Sequence, residues 1–304
     1  AANTGLRIDD PAFTSVISAV WGAGDRLYVS DFALNQIRVY DADDAMGAAA
    51  STPVAIITSP DLVEVYAMAF DTAGNLWVSD RRGSRPDTPI QNRILKFASA
   101  AVASATGNTT LDAATVITLD TTTAGFDSNW IVSLTVDAQG DLWFTDTWDW
   151  AVSRITDPGS LVGAVSGYKA TLRLQSVDGI NPELSDIRNP VSVAIDADGN
   201  LYVGNRGRDK VARFDGAASL TGDYLGGARS ADAAPKMRIE KTAHNWVLGM
   251  DISRRSEGGK LSGGKNAKRP TFSDVRIIPY PGIHFYACLR EIHSFRPSAS
   301  NCLT

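Results

Sequence analysis

From Ser15 to Ile252 the chain is a succession of short apolar runs separated by turns rich in Gly, Asn and Asp. The runs are too short for helices and lack the apolar spacing of an amphipathic helix, so they read as β-strands. Four kinds of run recur in a fixed order. The first is small and β-branched: Ser15 to Val20, Val65 to Phe70, Ile131 to Val136 and Val191 to Ile195. Such a composition suits a strand buried on both faces. The second carries one aromatic between two aliphatics, as in Leu27-Tyr28-Val29, Leu76-Trp77-Val78, Leu142-Trp143-Phe144 and Leu201-Tyr202-Val203. Period-two alternation turns that aromatic to the face opposite its neighbours, where it can pack against the next unit. The third alternates polar and apolar residues, as in Arg93-Ile94-Leu95-Lys96-Phe97, and predicts a half-exposed strand. The fourth comprises Val54 to Ile57, Thr115 to Leu119, Ala170 to Leu174 and Met237 to Glu240. Before it lie Ala/Ser/Gly-rich connections of variable length, such as Ala45 to Ser51, Ala98 to Asn108 and Ala217 to Ala234, which predict surface loops.

A glycine turn joins the first two strands and serves as a ruler. It falls at Asp25, Asn75, Asp141 and Asn200, at intervals of 50, 66 and 59 residues. Four strands per repeat at that spacing predict an all-β propeller, each repeat one four-stranded blade. His244 to Ile252 begins a fifth unit, and then the pattern stops: Arg254 to Pro270 is basic and Gly-rich. The expected organisation is residues 1–252 as blades 1–4 and the start of blade 5, with 253–304 a degenerate closing blade or an irregular tail. Five or six blades are expected, the last poorly defined. Leu6-Arg7-Ile8 is a candidate outer strand for closing the ring.

The units resemble NHL-type β-propeller repeats. The best match is Pro190 to Asp196, then Gly199 to Asn205 and Val211 to Phe214. The resemblance spans residues 15–252 and implies a propeller that usually has six blades. The wider group includes interaction modules, regucalcin-type lactonases, strictosidine-synthase-like proteins, streptogramin lyase and peptide-amidating lyase. Fold likeness does not choose among these activities.

Composition narrows the partners. A 304-residue chain with 44% hydrophobic and 21% charged residues reads as an ordinary globular protein. A net charge of −5 argues against nucleic acid. No apolar run approaches the ~18–20 residues of a membrane-spanning helix. The chain starts Ala1-Ala2-Asn3-Thr4-Gly5 without Met, which fits either a removed secretory signal or a sequence that begins there. Together with a Thr-, Asn-, Trp- and Asp-rich composition this sets the expectation of a secreted or periplasmic monomer. Cys288 and Cys302 form one disulfide or stay as two thiols, depending on compartment.

Chemistry is expected where loops enter the innermost strands, because one end of a propeller channel gathers them. Those positions are Tyr66, Asn129, Trp130, Asn189, Asn245 and Trp246. Amides and aromatic faces there suit a polar, carbohydrate-like, peptide or protein ligand; turn stabilisation and packing between blades is the alternative. The wider group's lactonases bind a metal through Glu, Asn and Asp in the channel. That resemblance implies a divalent cation, calcium by ligand hardness, with Glu64, Asn129, Asn189, Asn245 and His244 as candidate ligands. Asp196-Ala197-Asp198-Gly199-Asn200 has the look of a calcium loop, but a Gly-Asn hairpin turn accounts for it better. Asp146-Thr147-Trp148-Asp149-Trp150 is either a carbohydrate or cation platform or a solvent-facing loop. Asn108-Thr109-Thr110 is a formal glycosylation sequon. No nucleophile elbow or phosphate loop is present in the sequence.

Overall fold

The computed structural model describes residues 8, 10–22, 24–41, 51–82, 91–120, 130–175, 187–206 and 210–220, together with the strands Gly222–Leu225, Met237–Glu240, Asp251–Ile252 and Val275–Arg276. Blade 1 comprises β1 (Val16–Gly22), β2 (Arg26–Asp31), β3 (Gln36–Asp41) and β4 (Ala55–Thr58). Blade 2 comprises β5 (Val65–Phe70), β6 (Leu76–Arg82), β7 (Gln91–Phe97) and β9 (Thr115–Leu119), with helix α1 (Ser99–Ala103) and β8 (Gly107–Thr110) in the connection before β9. Blade 3 comprises β10 (Leu134–Val136), β11 (Leu142–Asp146), β12 (Ala151–Ile155) and β14 (Leu172–Gln175), with β13 (Gly163–Tyr168) in the same kind of connection. Blade 4 comprises β15 (Pro190–Ile195), β16 (Leu201–Asn205), β17 (Lys210–Phe214) and β19 (Met237–Glu240), with β18 (Gly222–Leu225) before its last strand.

Within each blade the four strands are antiparallel neighbours in chain order. The first strands β1, β5, β10 and β15 stand side by side, so the sheets are arranged about a common centre as propeller blades. Four blades are formed among the described residues. Of the expected fifth unit, Asp251–Ile252 is β20; it lies beside β15 and pairs with β21 (Val275–Arg276). The rest of 253–304, with Cys288 and Cys302, lies outside the described residues.

The connections expected to be plain loops hold strands. β8 pairs in parallel with β4 of the preceding blade, β13 with β9 and β18 with β14. Each of the first three blades therefore gains a fifth, outermost strand from the blade that follows, which ties the blades together and covers an otherwise open sheet edge.

The core lies between blades. One cluster joins Tyr28, Ile37, Val39 and Ile57 of blade 1 to Met68, Leu76, Val78 and Leu95 of blade 2. A second joins Trp77 and Ile94 to Leu134, Leu142 and Phe144, and a third joins Trp143 and Val152 to Val193, Leu201 and Phe214. The second-strand aromatic thus packs into the neighbouring blade as the alternation predicts, and Tyr28 meets Phe70 edge-on at 4.9 Å. Of the candidate closing strand Leu6-Arg7-Ile8, only Ile8 is described. With Phe13 it packs against Val29 and Tyr40, on the face of blade 1 turned away from blade 2. There Asp10 accepts hydrogen bonds from Tyr40 Oη at 2.6 Å and Arg38 Nη1 at 3.0 Å, strapping the N-terminal segment down.

Candidate functional site

Each blade has a turn end and a mouth end. At the turn end the chemistry is internal. Asp137 Oδ1 accepts the backbone N–H groups of Gln139 and Asp141, and its Oδ2 accepts the indole N–H of Trp143 at 2.8 Å. Asp71 does the same for Asn75 and Trp77, and Asp196 for Asp198, Asn200 and the Tyr202 hydroxyl. Gly74, Gly140 and Gly199 take the left-handed φ values of 80°, 89° and 77° that close these turns. The next side chain carries the link outward: Asn75, Asp141 and Asn200 accept from the backbone of Ser99, Asp157 and Gly216. The calcium-loop look of Asp196 to Asn200 is therefore a hydrogen-bonded hairpin, because both oxygens of Asp196 are bound within it.

Blade 1 departs from this scheme. Its register puts Gly22 where the other blades carry the turn Asp, since Gly22 pairs with Arg26 beside the Trp21–Leu27 pair. A Cβ at Gly22 would lie 2.6 Å from the Tyr28 ring and 2.7 Å from Phe70, so only glycine fits under that aromatic pair.

The mouth end begins with a second layer of satisfied polar groups. Asp31 accepts the N–H groups of Thr14 and Ser15, Asp80 those of Val63 and Glu64, and Asn205 that of Arg188. Ser30 donates to the Tyr66 carbonyl of blade 2, Ser79 to the Ile131 carbonyl of blade 3, and Thr147 to the Pro190 carbonyl of blade 4. Asp31, Asp80 and Asn205 are thus scaffold residues that fix how the chain enters the innermost strand, and Asp146 is held by Arg173.

Above that layer the register decides which residues face one another. The residue after the terminal Asp or Asn donates its N–H to the residue just before the first strand: Phe32 to Ser15, Arg81 to Glu64, Thr147 to Trp130 and Arg206 to Asn189. Ser15, Glu64, Trp130 and Asn189 are therefore equivalent. This corrects the spacing read from sequence, which aligned Asn189 with Asn129. Asn189 shares its position with Trp130, one residue on. Counted from the glycine turn, Glu64, Trp130 and Asn189 each stand eleven residues before Asn75, Asp141 and Asn200.

Four of these mouth residues hold buried polar atoms that make no hydrogen bond among the described residues: Glu64 Oε2, Arg81 Nε, Trp130 Nε1 and Asn189 Oδ1. Asn35 Oδ1 and Gln36 Oε1, in the β2–β3 turn at the same end, are in the same state. Asn189 is also held at a φ of 47°, a left-handed conformation that asparagine tolerates.

Beside them runs a row of rings. Phe32 lies 5.1 Å from Tyr66, Tyr66 is edge-on to Trp130 at 5.9 Å, and Trp130 stacks on Trp148 at 5.5 Å with 19° between planes. The Arg81 guanidinium stands 5.8 Å from the Trp130 ring. Burial pushes the Tyr66 hydroxyl above its ordinary range, with Glu64 adding to this and Arg81 and Trp130 opposing it. The hydroxyl therefore stays protonated and can donate.

Of the residues expected from sequence, Tyr66, Trp130, Glu64 and Asn189 are described, and all lie at this mouth. Asn129, His244, Asn245 and Trp246 lie outside the described residues. Glu64 and Asn189 belong to blades 2 and 4, and among the described residues no three His, Cys, Asp or Glu side chains gather as a metal site would require. The sequence reading missed Arg81 and Phe32. Their signal was positional: each directly follows the second-strand Asp. No helix among the described residues is long and apolar enough to cross a membrane.

No family model matches this sequence, and no curated protein does. Solved structures do match. A virginiamycin B lyase from Staphylococcus aureus, in catalytically inactive form with quinupristin, is 12% identical with a TM-score of 0.42, covering 82% of this chain and 75% of that one. A streptogramin B lyase is 16% identical with a TM-score of 0.40, covering 76% of this chain and 74% of that one. A protein of unknown function from Bacteroides caccae is 10% identical with a TM-score of 0.40; the match covers 74% of this chain but spans only 60% of that protein's length. The fold rests on the chain's own sheets, which form a β-propeller.

Proposed function

We propose that this propeller binds a small polar ligand at its mouth end. The observation that carries the reading is the set of buried, unpartnered atoms Glu64 Oε2, Arg81 Nε, Trp130 Nε1 and Asn189 Oδ1 beside an aromatic row. Leaving one buried polar group unsatisfied costs about 1–3 kcal/mol, so several at one place favour a partner that supplies the missing bonds. Two are acceptors and two are donors, which suits a ligand with both hydroxyl or amide donors and oxygen acceptors. The aromatic surface supplies apolar contact, as in most small-molecule sites.

The test is tryptophan fluorescence and calorimetry with a panel of oligosaccharides and short peptides, on the wild-type chain and on Glu64→Gln and Trp130→Phe. Binding that weakens about tenfold in each variant supports the reading, since one charge-assisted or buried hydrogen bond is worth about that much. Binding of every panel member unchanged in both variants, or no binding at all, sinks it. The lactonase or lyase alternative needs a metal cluster from Glu64, Asn129, Asn189, Asn245 and His244, of which only Glu64 and Asn189 are described. Metal bound at stoichiometric levels by the purified chain, with lactone turnover lost on chelation, would move the assignment there.

A further inference from the structure

We infer that the ligand at this mouth is a carbohydrate bearing a carboxylate, with one sugar ring stacked on Trp148. The inference rests on the mouth being a binding site and adds the class of ligand.

Trp148 differs from the second-strand tryptophans. Trp77 and Trp143 are fully buried, each with its indole N–H bound to the turn Asp. Trp148 is 56% exposed, yet it is backed by the near-parallel ring of Trp130 at 5.5 Å. A large apolar ring shown to solvent costs solvation free energy, and a second ring behind it limits its rotation. The result is a flat, held face suited to the C–H side of a pyranose ring. The buried acceptors Glu64 Oε2 and Asn189 Oδ1 suit sugar hydroxyls, and the donors Arg81 Nε and Trp130 Nε1 suit ring, hydroxyl or carboxylate oxygens.

Charge selects an acidic sugar. Arg81 stands at the Trp130 ring, and Arg188 stands 4.9 Å from the Trp150 ring, two residues along the loop from Trp148. The acidic groups nearby among the described residues are largely engaged. Asp80 is bound by Arg93 and two backbone N–H groups, and Arg173 bridges Asp146 and Asp149. Glu64 alone among them keeps an unpartnered oxygen. Among the described residues the mouth thus presents the Arg81 and Arg188 guanidinium groups beside the Glu64 carboxylate, on a chain whose formal charge is −5. This disfavours a cationic guest, which would otherwise stack well on tryptophan, and favours a carboxylate, which guanidinium recognises by paired hydrogen bonds.

The experiment compares uronate-containing oligosaccharides with neutral oligosaccharides of equal length, acidic peptides and acetate, by calorimetry and tryptophan quenching at low and high salt. Uronate oligosaccharides are expected to bind best, more weakly at high salt. Trp148→Ala is expected to abolish sugar binding; the side chain is exposed, so the fold is kept, and near-ultraviolet circular dichroism checks this. Arg81→Gln is expected to weaken uronate binding about tenfold more than it weakens neutral-sugar binding. Equal affinity for neutral and acidic sugars overturns the carboxylate. Trp148-dependent binding of peptides without sugars overturns the ligand class while keeping the mouth as a binding site. No panel member binding in a way that depends on Trp148 or Glu64 overturns both.

Discussion

In blade 3, both oxygens of Asp137 are taken up by Gln139, Asp141 and Trp143, all within seven residues of chain. At the other end of the same blade, Trp130 Nε1 is buried and makes no hydrogen bond among the described residues. The contrast recurs. Asp71 and Asp196 are saturated at the turn end, while Glu64 and Asn189 keep unpartnered oxygens at the mouth. A local turn can satisfy its own polar groups, because donors and acceptors arrive together along the chain. The mouth is assembled from separate blades, and its polar groups are left for something else to satisfy. The difference lies in the acceptor oxygens: those of Asp71, Asp137 and Asp196 are bonded at the turn end, while Glu64 Oε2 and Asn189 Oδ1 at the mouth are not.

The contrast can be broken by substitution. The largest expected effect is Asp137→Ala. It strips hydrogen bonds from Gln139, Asp141 and the buried indole of Trp143, and should lower stability by about 2–4 kcal/mol in urea denaturation. Glu64→Gln should change stability by less than ~0.5 kcal/mol or raise it, since an unpartnered buried oxygen contributes nothing to folding. If Glu64→Gln costs as much as Asp137→Ala, the two ends do not differ as described.

Ser79→Ala should fall between these. Ser79 Oγ accepts the Ala67 N–H and donates to the Ile131 carbonyl of the next blade, and its loss should cost about 1–2 kcal/mol. The same experiment sharpens the comparison, because this layer is at the mouth end yet fully bonded.

Acid is the next probe. Burial works to raise the Asp71 carboxyl, but hydrogen bonds from Asn75, Trp77 and Ala73 outweigh it and hold the group below its ordinary value of 3.8. A depressed folded pKa contributes stability that is full above the unfolded value and is lost as pH falls through the folded one. The wild type should therefore lose stability below about pH 4, and Asp71→Asn should lose less over that window in acid titration followed by circular dichroism. An identical acid profile in the variant would remove Asp71 from the turn-end account. The smallest effect is expected at Trp148→Ala, within ~0.5 kcal/mol of wild type because the ring is largely exposed.

Much of the fold was legible in the chain. The strands of blades 1–4, the glycine turns and the aromatic packed between blades follow from alternation, turn chemistry and β-propensity, all of which act over a few residues. Blade 1 shows the limit: only the Tyr28 and Phe70 rings explain why no side chain fits at Gly22. The fifth strands were hidden for a similar reason. Gly107–Thr110 has little strand character of its own and becomes one by pairing with β4 of the preceding blade. The described candidate residues share one end of the blades, but Asn129 and Asn189 are not equivalent: Glu64, Trp130 and Asn189 each stand eleven residues before the turn residues Asn75, Asp141 and Asn200, a count that the repeated Asn hid. Arg81 escaped notice because a charge at a strand end ordinarily reads as solvent-facing.

What the sequence determined by itself was the β class, the repeat and the position of every glycine turn, since these depend on interactions between residues close in the chain. What only the tertiary structure decided was which polar atoms are bonded and which are not. The oxygens of Asp137 and Glu64 are the same chemical group. One closes its bonds within its own hairpin, and the other lies among blades whose backbones and rings come from distant parts of the chain. No reading of neighbours in sequence can count those bonds, because their partners are set by how the blades pack.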